Sequence, residues 1–281
     1  MTTTAPHQQP PRRADRNPDR TRSGWARYAP LYQNLVRREV RQRYRGSALG
    51  VAWTLITPLV MVGSYGLVFR FMLRINIESY YLFLFVGLTI WQFLFAGMQM
   101  ASASLANNAN LVTKVKFPRE IVPLATLSGN AVTAGVMAAI ALPLCVFISQ
   151  DSPLPMVTLP GLVVLLACMT AGLGLLAAGL NVYFRDVEHI LAAIGLPWIF
   201  VTPIFYEFDA VPGLEHHPWA EPVLHYANPF APFVISTWDV LSSGTWPAPG
   251  EVPDLAAAAA ISLSFGLWAF RRLEREMAIE L

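Results

Sequence analysis

The stretch GSALGVAWTLITPLVMVGSYGLVF, residues 46–69, runs for 24 residues without a charge. As a helix rising 1.5 Å per residue it is about 36 Å long, enough to cross a hydrocarbon layer of about 30 Å. Five further apolar runs follow: 79–113 (apolar to about 106), 121–150, 152–184, 187–206 (polar only at its start, with Glu188 and His189) and 255–270, which is shorter and Ala-rich. The reading is an all-α membrane protein with six transmembrane helices, at about 49–71, 80–104, 121–149, 157–184, 187–206 and 255–270.

Composition agrees. The 281 residues are 54% hydrophobic and 14% charged, with a mean hydropathy of +0.44. A soluble domain carries about 25% charged residues. These values exclude an ordinary soluble enzyme and a disordered chain. Cys145 and Cys168 sit in apolar stretches, and no CxxC or Cys/His cluster exists, so neither a disulfide framework nor a zinc site is supported. Glu215-His216-His217 does not make a metal site either, because adjacent histidines point in different directions.

The formal net charge of +2 hides an asymmetry. Eleven of the 20 Lys and Arg lie between Arg12 and Arg45, and seven of the 18 Asp and Glu lie between Glu207 and Asp254. From Arg37 onward, six spans place twelve cations on the N-terminal side and only Arg70 and Arg74 on the other. By the excess of cations on cytoplasmic loops, both termini are cytoplasmic and the acidic 207–254 region faces outward. Residues 1–30 are rich in Pro, Arg and Thr and read as a disordered cytoplasmic tail with no apolar core for a secretory signal. Their arginines do not indicate nucleic acid, because no recognition fold follows them.

Three segments outside the spans carry information. Residues 31–45 form an amphipathic helix: Leu31, Tyr32, Leu35, Val36, Val40 and Tyr44 share one arc, and Arg37, Arg38, Arg41 and Arg45 share the other with Asn34. Glu39 and Arg43 interrupt the apolar side at a spacing that lets them pair. Such a helix lies in the cytoplasmic headgroup layer, as a topology anchor, a functional element or both. The loop 107–119 flanks Leu111, Val112, Val115 and Phe117 with Lys114, Lys116 and Arg119. That pattern suits a short helix docking on a cytoplasmic partner, ended by Pro118, and equally suits an ordinary positive-inside loop. Arg185 and Asp186 occupy the turn between the fourth and fifth spans, where a local salt bridge would fix the hairpin, with Glu188 and His189 beside them. Asn228-Pro229 opens an apolar stretch of about 14 residues, too short to span and fitting a re-entrant segment. Small-residue spacings such as Gly174–Ala178 and Ala134–Ala138 permit close helix packing.

Some chemistry is missing. No GxxxxGK(S/T) loop exists, and Lys114 and Lys116 are the only lysines. No GxSxG, HExxH or intramembrane carboxylate pair is present, and the middles of the spans hold no ionisable coupling residue. A transporter of this kind needs energy from elsewhere, and a cytoplasmic ATPase would supply it. The rival is a membrane scaffold or intramembrane enzyme without an ATPase.

Several stretches carry a resemblance: RREVRQRYRGSALGVAWTLITPL (37–59), LFVGLTIWQFLF (84–95), LVTKVKFPREIVPL (111–124), NVYFRDVEHI (181–190), TPIFY (202–206) and NP (228–229). Together they resemble the membrane permease subunit of ABC-2-type polysaccharide exporters, which move lipid-linked O-antigen, capsule or teichoic acid chains. The resemblance covers most of 31–281 and leaves the tail outside. It implies a bacterial cytoplasmic membrane, two copies of the permease, and two separate ABC ATPase subunits that bind ATP and Mg. It implies that the 31–45 helix sits at the ATPase, that Asn110, Lys114, Lys116, Phe117, Pro118 and Arg119 belong to a coupling helix, and that 207–254, with Asn228 and Pro229, is re-entrant and closes the outer end of a channel. Tyr65, Phe69, Trp91, Trp198 and Tyr206 are then candidates for a sugar path, since aromatic faces stack on sugars while allowing sliding. An ABC-2 permease for a drug or a lipid shares the span count.

Overall fold

The computed structural model describes residues 27–46, 49–75, 77–148, 154–208, 223, 228–274 and 277. The expected tail lies almost wholly outside the described residues, as do Glu215, His216 and His217. The described residues form helices and no strand. Helix α1 (Ala29–Tyr44) precedes α2 (Trp53–Gly66), which enters through the 3₁₀ turn Gly50–Ala52 and continues as a π-helical segment, Leu67–Met72. Helix α3 (Tyr80–Trp91), a π turn (Gln92–Ala96) and α4 (Gly97–Asn107) make one rod. Then come α5 (Ala109–Lys114), α6 (Ile121–Ile148), α7 (Leu159–Tyr183), α8 (Asp186–Val201), α9 (Ala231–Ser242) and α10 (Glu251–Leu273).

Among the described residues five helices are long and apolar enough to cross a membrane: Gly50–Met72, Tyr80–Asn107, Ile121–Ile148, Leu154–Tyr183 and Glu251–Leu273. The segment expected at 187–206 differs. Helix α8 has 16 residues, about 24 Å, and stops at Val201. Thr202 is extended at ψ 135°, because the residue before Pro203 is pushed out of the helical region. The chain then turns through Thr202–Phe205, and the Tyr206 hydroxyl donates to the carbonyls of Phe200 at 3.1 Å and Val201 at 3.3 Å. The 12-residue α9 is also too short to cross, about 18 Å, yet Phe230, Phe233, Val234, Val240 and Leu241 are buried among the longer helices. Short helices at membrane depth are tolerated when protein covers them.

Helix α7 is central. It crosses α10 at Gly172 and Gly266, where a Cβ on Gly172 would lie 2.2 Å from the Ser262 carbonyl and one on Gly266 would lie 2.1 Å from the Gly172 carbonyl. Ser262 adds an interhelical hydrogen bond, its hydroxyl donating to the Met169 carbonyl at 2.9 Å. On another face Gly174 meets Leu127 and Ala101, with 3.0 and 3.1 Å available to a Cβ. Close backbone approach replaces the hydrophobic driving force that lipid removes between helices. The outer span behaves differently: along Gly50–Met72 only Thr54, Pro58, Val62 and Gly66 are buried, whereas most of Tyr80–Asn107 is. Leu59, Val60, Leu67, Phe71 and Met72 are exposed along it. That flank needs lipid or another protein surface.

The glycine crossing makes a prediction. Gly172→Ala or Gly266→Ala is expected to lower stability by about 1–3 kcal/mol through overpacking, while Gly63→Ala, whose Cβ meets nothing within 4 Å, leaves it unchanged. Thermal unfolding of the detergent-extracted protein checks the contrast, and equal behaviour of all three variants contradicts it.

Candidate functional site

A groove of about 480 Å³ opens between α2, the α3–α4 rod, α6 and α8. Its walls include Trp53, Tyr65, Trp91 and Phe95, and polar groups of Thr57, Gln92, Gln99 and Thr133. Gln92, Phe95 and Gln99, spaced i, i+3 and i+7, all line the groove from the rod. That spacing was readable in the sequence, but which face would be lined was not. The Gln92–Ala96 π turn sits in this wall. π turns shift the register of side chains beyond them and recur at functional sites.

Of the five aromatic residues considered for a sugar path, Tyr65 and Trp91 line the groove. Trp198 stands behind it in a stack: Trp91 on Phe95 at 4.6 Å, Phe95 edge-on to Trp198 at 6.0 Å, and Trp198 face-to-face with Phe230 at 4.7 Å. Phe69 stacks on Phe205 at 4.9 Å, with Tyr65 tilted on the same ring at 4.7 Å. Tyr206 serves the end of α8 instead.

Asn228 fastens the entry to α9. Its carbonyl oxygen accepts from the Trp198 indole N–H at 3.0 Å and from the Phe230 N–H at 3.1 Å, and its amide donates to the Thr202 hydroxyl at 2.9 Å. Pro229 follows in the turn that starts the helix. At the far end the Trp238 indole donates to Glu207 at 3.0 Å, and the Ser236 hydroxyl donates to Glu251 at 2.8 Å. Asp239 lies between them, and burial, with Glu251 and then Glu207, pushes its carboxyl up to about 6.

The opposite end of the bundle is basic. Arg37, Arg38, Arg41 and Arg45 are exposed on α1, whose Leu35 is buried against Leu105, Ile121 and Val122. Arg38 hydrogen-bonds Asn108, which donates back to the Ser104 carbonyl at 2.8 Å. The expected pairing of Arg43 with Glu39 is not the one formed. Glu39 lies 3.9 Å from Arg38, while Arg43 turns into the bundle toward Thr133 at 2.9 Å, because α6 offers polar acceptors there. Burial lowers its guanidinium from the ordinary arginine range, with Tyr44 and Glu39 opposing.

The loop after α4 also corrects one expectation. Val112 and Phe117 are buried in the chain's own core, beside Leu35 and Ile121. Apolar side chains so close to the bundle gain more from burial in it than from awaiting a partner. The outward set is Asn110, Thr113, Lys114, Val115 and Lys116, all exposed. Helix α5 ends at Lys114, where Val115 is extended, and Pro118 instead opens the turn into α6, its carbonyl accepting from Ile121 N–H at 3.1 Å. Arg119 is tied down: its side chain donates to the Glu274 carbonyl at 2.6 Å and its N–H to the Glu274 carboxylate at 3.0 Å. Arg271 pairs with the buried Glu120 at 3.4 Å. Arg185, Asp186 and His189 are exposed, and among the described residues Arg185 makes no ion pair. Asn181 fastens that hairpin, accepting from Glu188 N–H at 3.2 Å and donating to the Ser102 carbonyl at 3.1 Å. Among the described residues no cluster of ligating side chains fits a metal ion.

Comparison with known proteins bears on this arrangement. Residues 30–241 match the ABC-2 type transporter family. The chain is similar to the O-antigen export system permease protein RfbA of Myxococcus xanthus, 29% identical over 242 residues that cover 86% of this chain and 90% of that one. It is also similar to two proteins of the same name from Klebsiella pneumoniae. One is 27% identical over 216 residues (75% of this chain, 80% of the other), and one is 26% identical over 215 residues (75% and 79%).

The Asn228 contacts give a prediction. Asn228→Ala strands the Trp198 indole and the Phe230 N–H, and is expected to cost about 1–3 kcal/mol, with a change in tryptophan emission. Asn228→Asp keeps the acceptor and is expected to cost less. Melting curves for both variants test the order, and a harmless Asn228→Ala contradicts it.

Proposed function

Since this chain belongs to the ABC-2 type transporter family, we infer that it is the membrane permease subunit of an ABC transporter that exports a polysaccharide. The observation that carries the choice of cargo is the similarity along 90% of an O-antigen export permease. The groove chemistry supports it. Aromatic faces at Trp53, Tyr65, Trp91 and Phe95 alternate with the amides of Gln92 and Gln99. Such a wall can stack on sugar rings and exchange hydrogen bonds with hydroxyls without gripping one unit.

The chain has no ATP-binding loop of its own, so energy comes from a separate ABC ATPase carrying ATP and Mg. The basic end is its docking face: the exposed arginines of α1 and the outward set around Lys114 and Lys116 on the α5 loop. Cations near span ends support placing this end, and both termini, in the cytoplasm of a bacterial inner membrane. A second copy covers the exposed flank of α2 and closes the open side of the groove, so that two permeases enclose one channel. Helix α9, entered at Asn228-Pro229, is the re-entrant element, and α8, too short to cross alone, makes a sixth crossing only together with the turn Thr202–Phe205. ATP binding draws two ATPases together, the α5 loops move, and the interface between permeases opens for a lipid-linked polymer.

Two outcomes test this reading. Gentle extraction of the tagged protein is expected to bring down, at one-to-one ratio, an ATPase bearing a GxxxxGK(S/T) loop. An intact, folded protein without any ATPase would sink the reading. In the assembled complex, Lys114→Glu with Lys116→Glu is expected to reduce export while ATP hydrolysis persists and membrane insertion is unchanged. Undiminished export removes the α5 loop from the coupling role.

A further inference from the structure

Arg43 is a cation on the apolar side of an amphipathic helix, a position that costs free energy unless a partner waits for it. Its partners lie in α6 and α4. One terminal nitrogen donates to the Thr133 hydroxyl at 2.9 Å and reaches the Asn130 carbonyl oxygen at 3.4 Å, and the other reaches the Met100 sulfur at 3.2 Å. Its Nε is buried with no hydrogen-bond partner among the described residues. Glu39, one turn earlier, presses its Cβ against Gly129, where any side chain on the glycine would come within 2.9 Å. Thus α1 is seated on α6 by contact at Gly129 and by charge at the next residues.

Asn130 carries the connection inward. It is fully buried, and its amide donates to two carbonyls at once, Gln92 and Phe93, each at 3.1 Å. Those carbonyls open the π turn Gln92–Ala96, where the helical ladder changes register. Gly97 leaves the space the amide occupies, since a Cβ there would lie 2.9 Å from the Asn130 nitrogen. The same turn bears Gln92, Phe95 and Ala96 on the groove wall, and Thr133, Arg43's nearest acceptor, lines that groove too. A continuous polar path therefore runs from α1, through Arg43 and Asn130, to the turn that shapes the groove.

We propose that Arg43 and Asn130 are positioning residues which couple movement of α1 to the π turn at Gln92–Ala96, so that events at the basic end reset the groove wall. The inference rests on the permease reading for its functional consequence, and on the contacts alone for its physical one. A charged group half-buried against a neutral amide and hydroxyl holds its place only while α1 stays seated. Lifting α1 withdraws the guanidinium from Asn130, whose amide braces the turn through the Gln92 and Phe93 carbonyls.

The test has two arms. In full-length protein in detergent, Arg43→Met keeps the stem and removes the donors. Amide hydrogen exchange at 92–97 is expected to accelerate, with the Gly172–Gly266 crossing unaffected and Arg43→Lys restoring part of the protection. In the complex with its ATPase, Arg43→Met is expected to lower polysaccharide exported per ATP about fivefold or more, with ATP turnover within about twofold. Asn130→Ser should do the same, and if it inserts poorly Arg43→Met decides. Unchanged exchange at 92–97 overturns the physical link whether or not an ATPase is found. Accelerated exchange with an unchanged export-to-ATP ratio overturns the coupling role. A uniform fall in stability, hydrolysis and export, without rescue by lysine, assigns Arg43 a merely structural role and overturns the proposal. A wild-type complex lacking ATPase or export strikes at the permease reading instead, and the exchange arm still judges the link.

Discussion

Everything in this protein follows from the cost of placing charge and unpaired backbone in hydrocarbon. It sets the helix lengths: five helices of 23 to 30 residues, free of charge through their middles. Among the described residues it sends every cation but Arg70 and Arg74 to one end of the bundle. It also dictates what polar residues inside must do. Asn130, Asn181 and Asn228 are each buried, and each meets its obligations through contacts to a neighbouring helix or turn rather than to water. These asparagines are therefore fasteners between helices. Glycine fastens helices too: the backbones of α7 and α10 touch at Gly172 and Gly266, beside the hydrogen bond from Ser262 to the Met169 carbonyl.

The same constraint links structure to transport. A groove through such a bundle cannot offer isolated charges to its cargo. It can offer aromatic faces, amides and hydroxyls, and these line the space beside α2. Of the two short helices, α9 is covered by the bundle, whereas α8 buries only Leu191, Gly195 and Ile199 and leaves its other side exposed. At the other end Lys114, Lys116 and the α1 arginines are exposed, while Arg119 and Arg271 are engaged with Glu274 and Glu120. The basic end thus divides into residues tied into the bundle, Arg38 to Asn108 among them, and residues that face outward.

Much of this was legible in sequence because charge exclusion is a local signal. Runs such as 46–69 announce helices without any knowledge of neighbours. The motif series from Arg37 to Pro229 pointed to the family that residues 30–241 match. The early stop of α8 was also written locally, in Pro203 after Thr202, and was outweighed by the apolar run around it. What sequence did not show depends on distant partners. Arg43 is spaced to pair with Glu39, yet it turns to Thr133, 90 residues away. Phe117 stands among cations as though outward, yet it fills a pocket made by α1 and α6. Of the aromatic residues, only packing separates Tyr65 and Trp91 on the groove wall from Trp198 behind it and Tyr206 at a helix end. Helix register and the choice among equally spaced partners are tertiary facts.

The central claim is that this chain carries a polysaccharide across the membrane. Its most direct measurement is depletion of the protein in its native cell, followed by quantification of surface polysaccharide and of lipid-linked glycan on the cytoplasmic face of the membrane. The account predicts loss of the surface polymer with build-up of the lipid-linked chain inside, and recovery on re-expression. Unchanged surface polymer with no internal accumulation would contradict it.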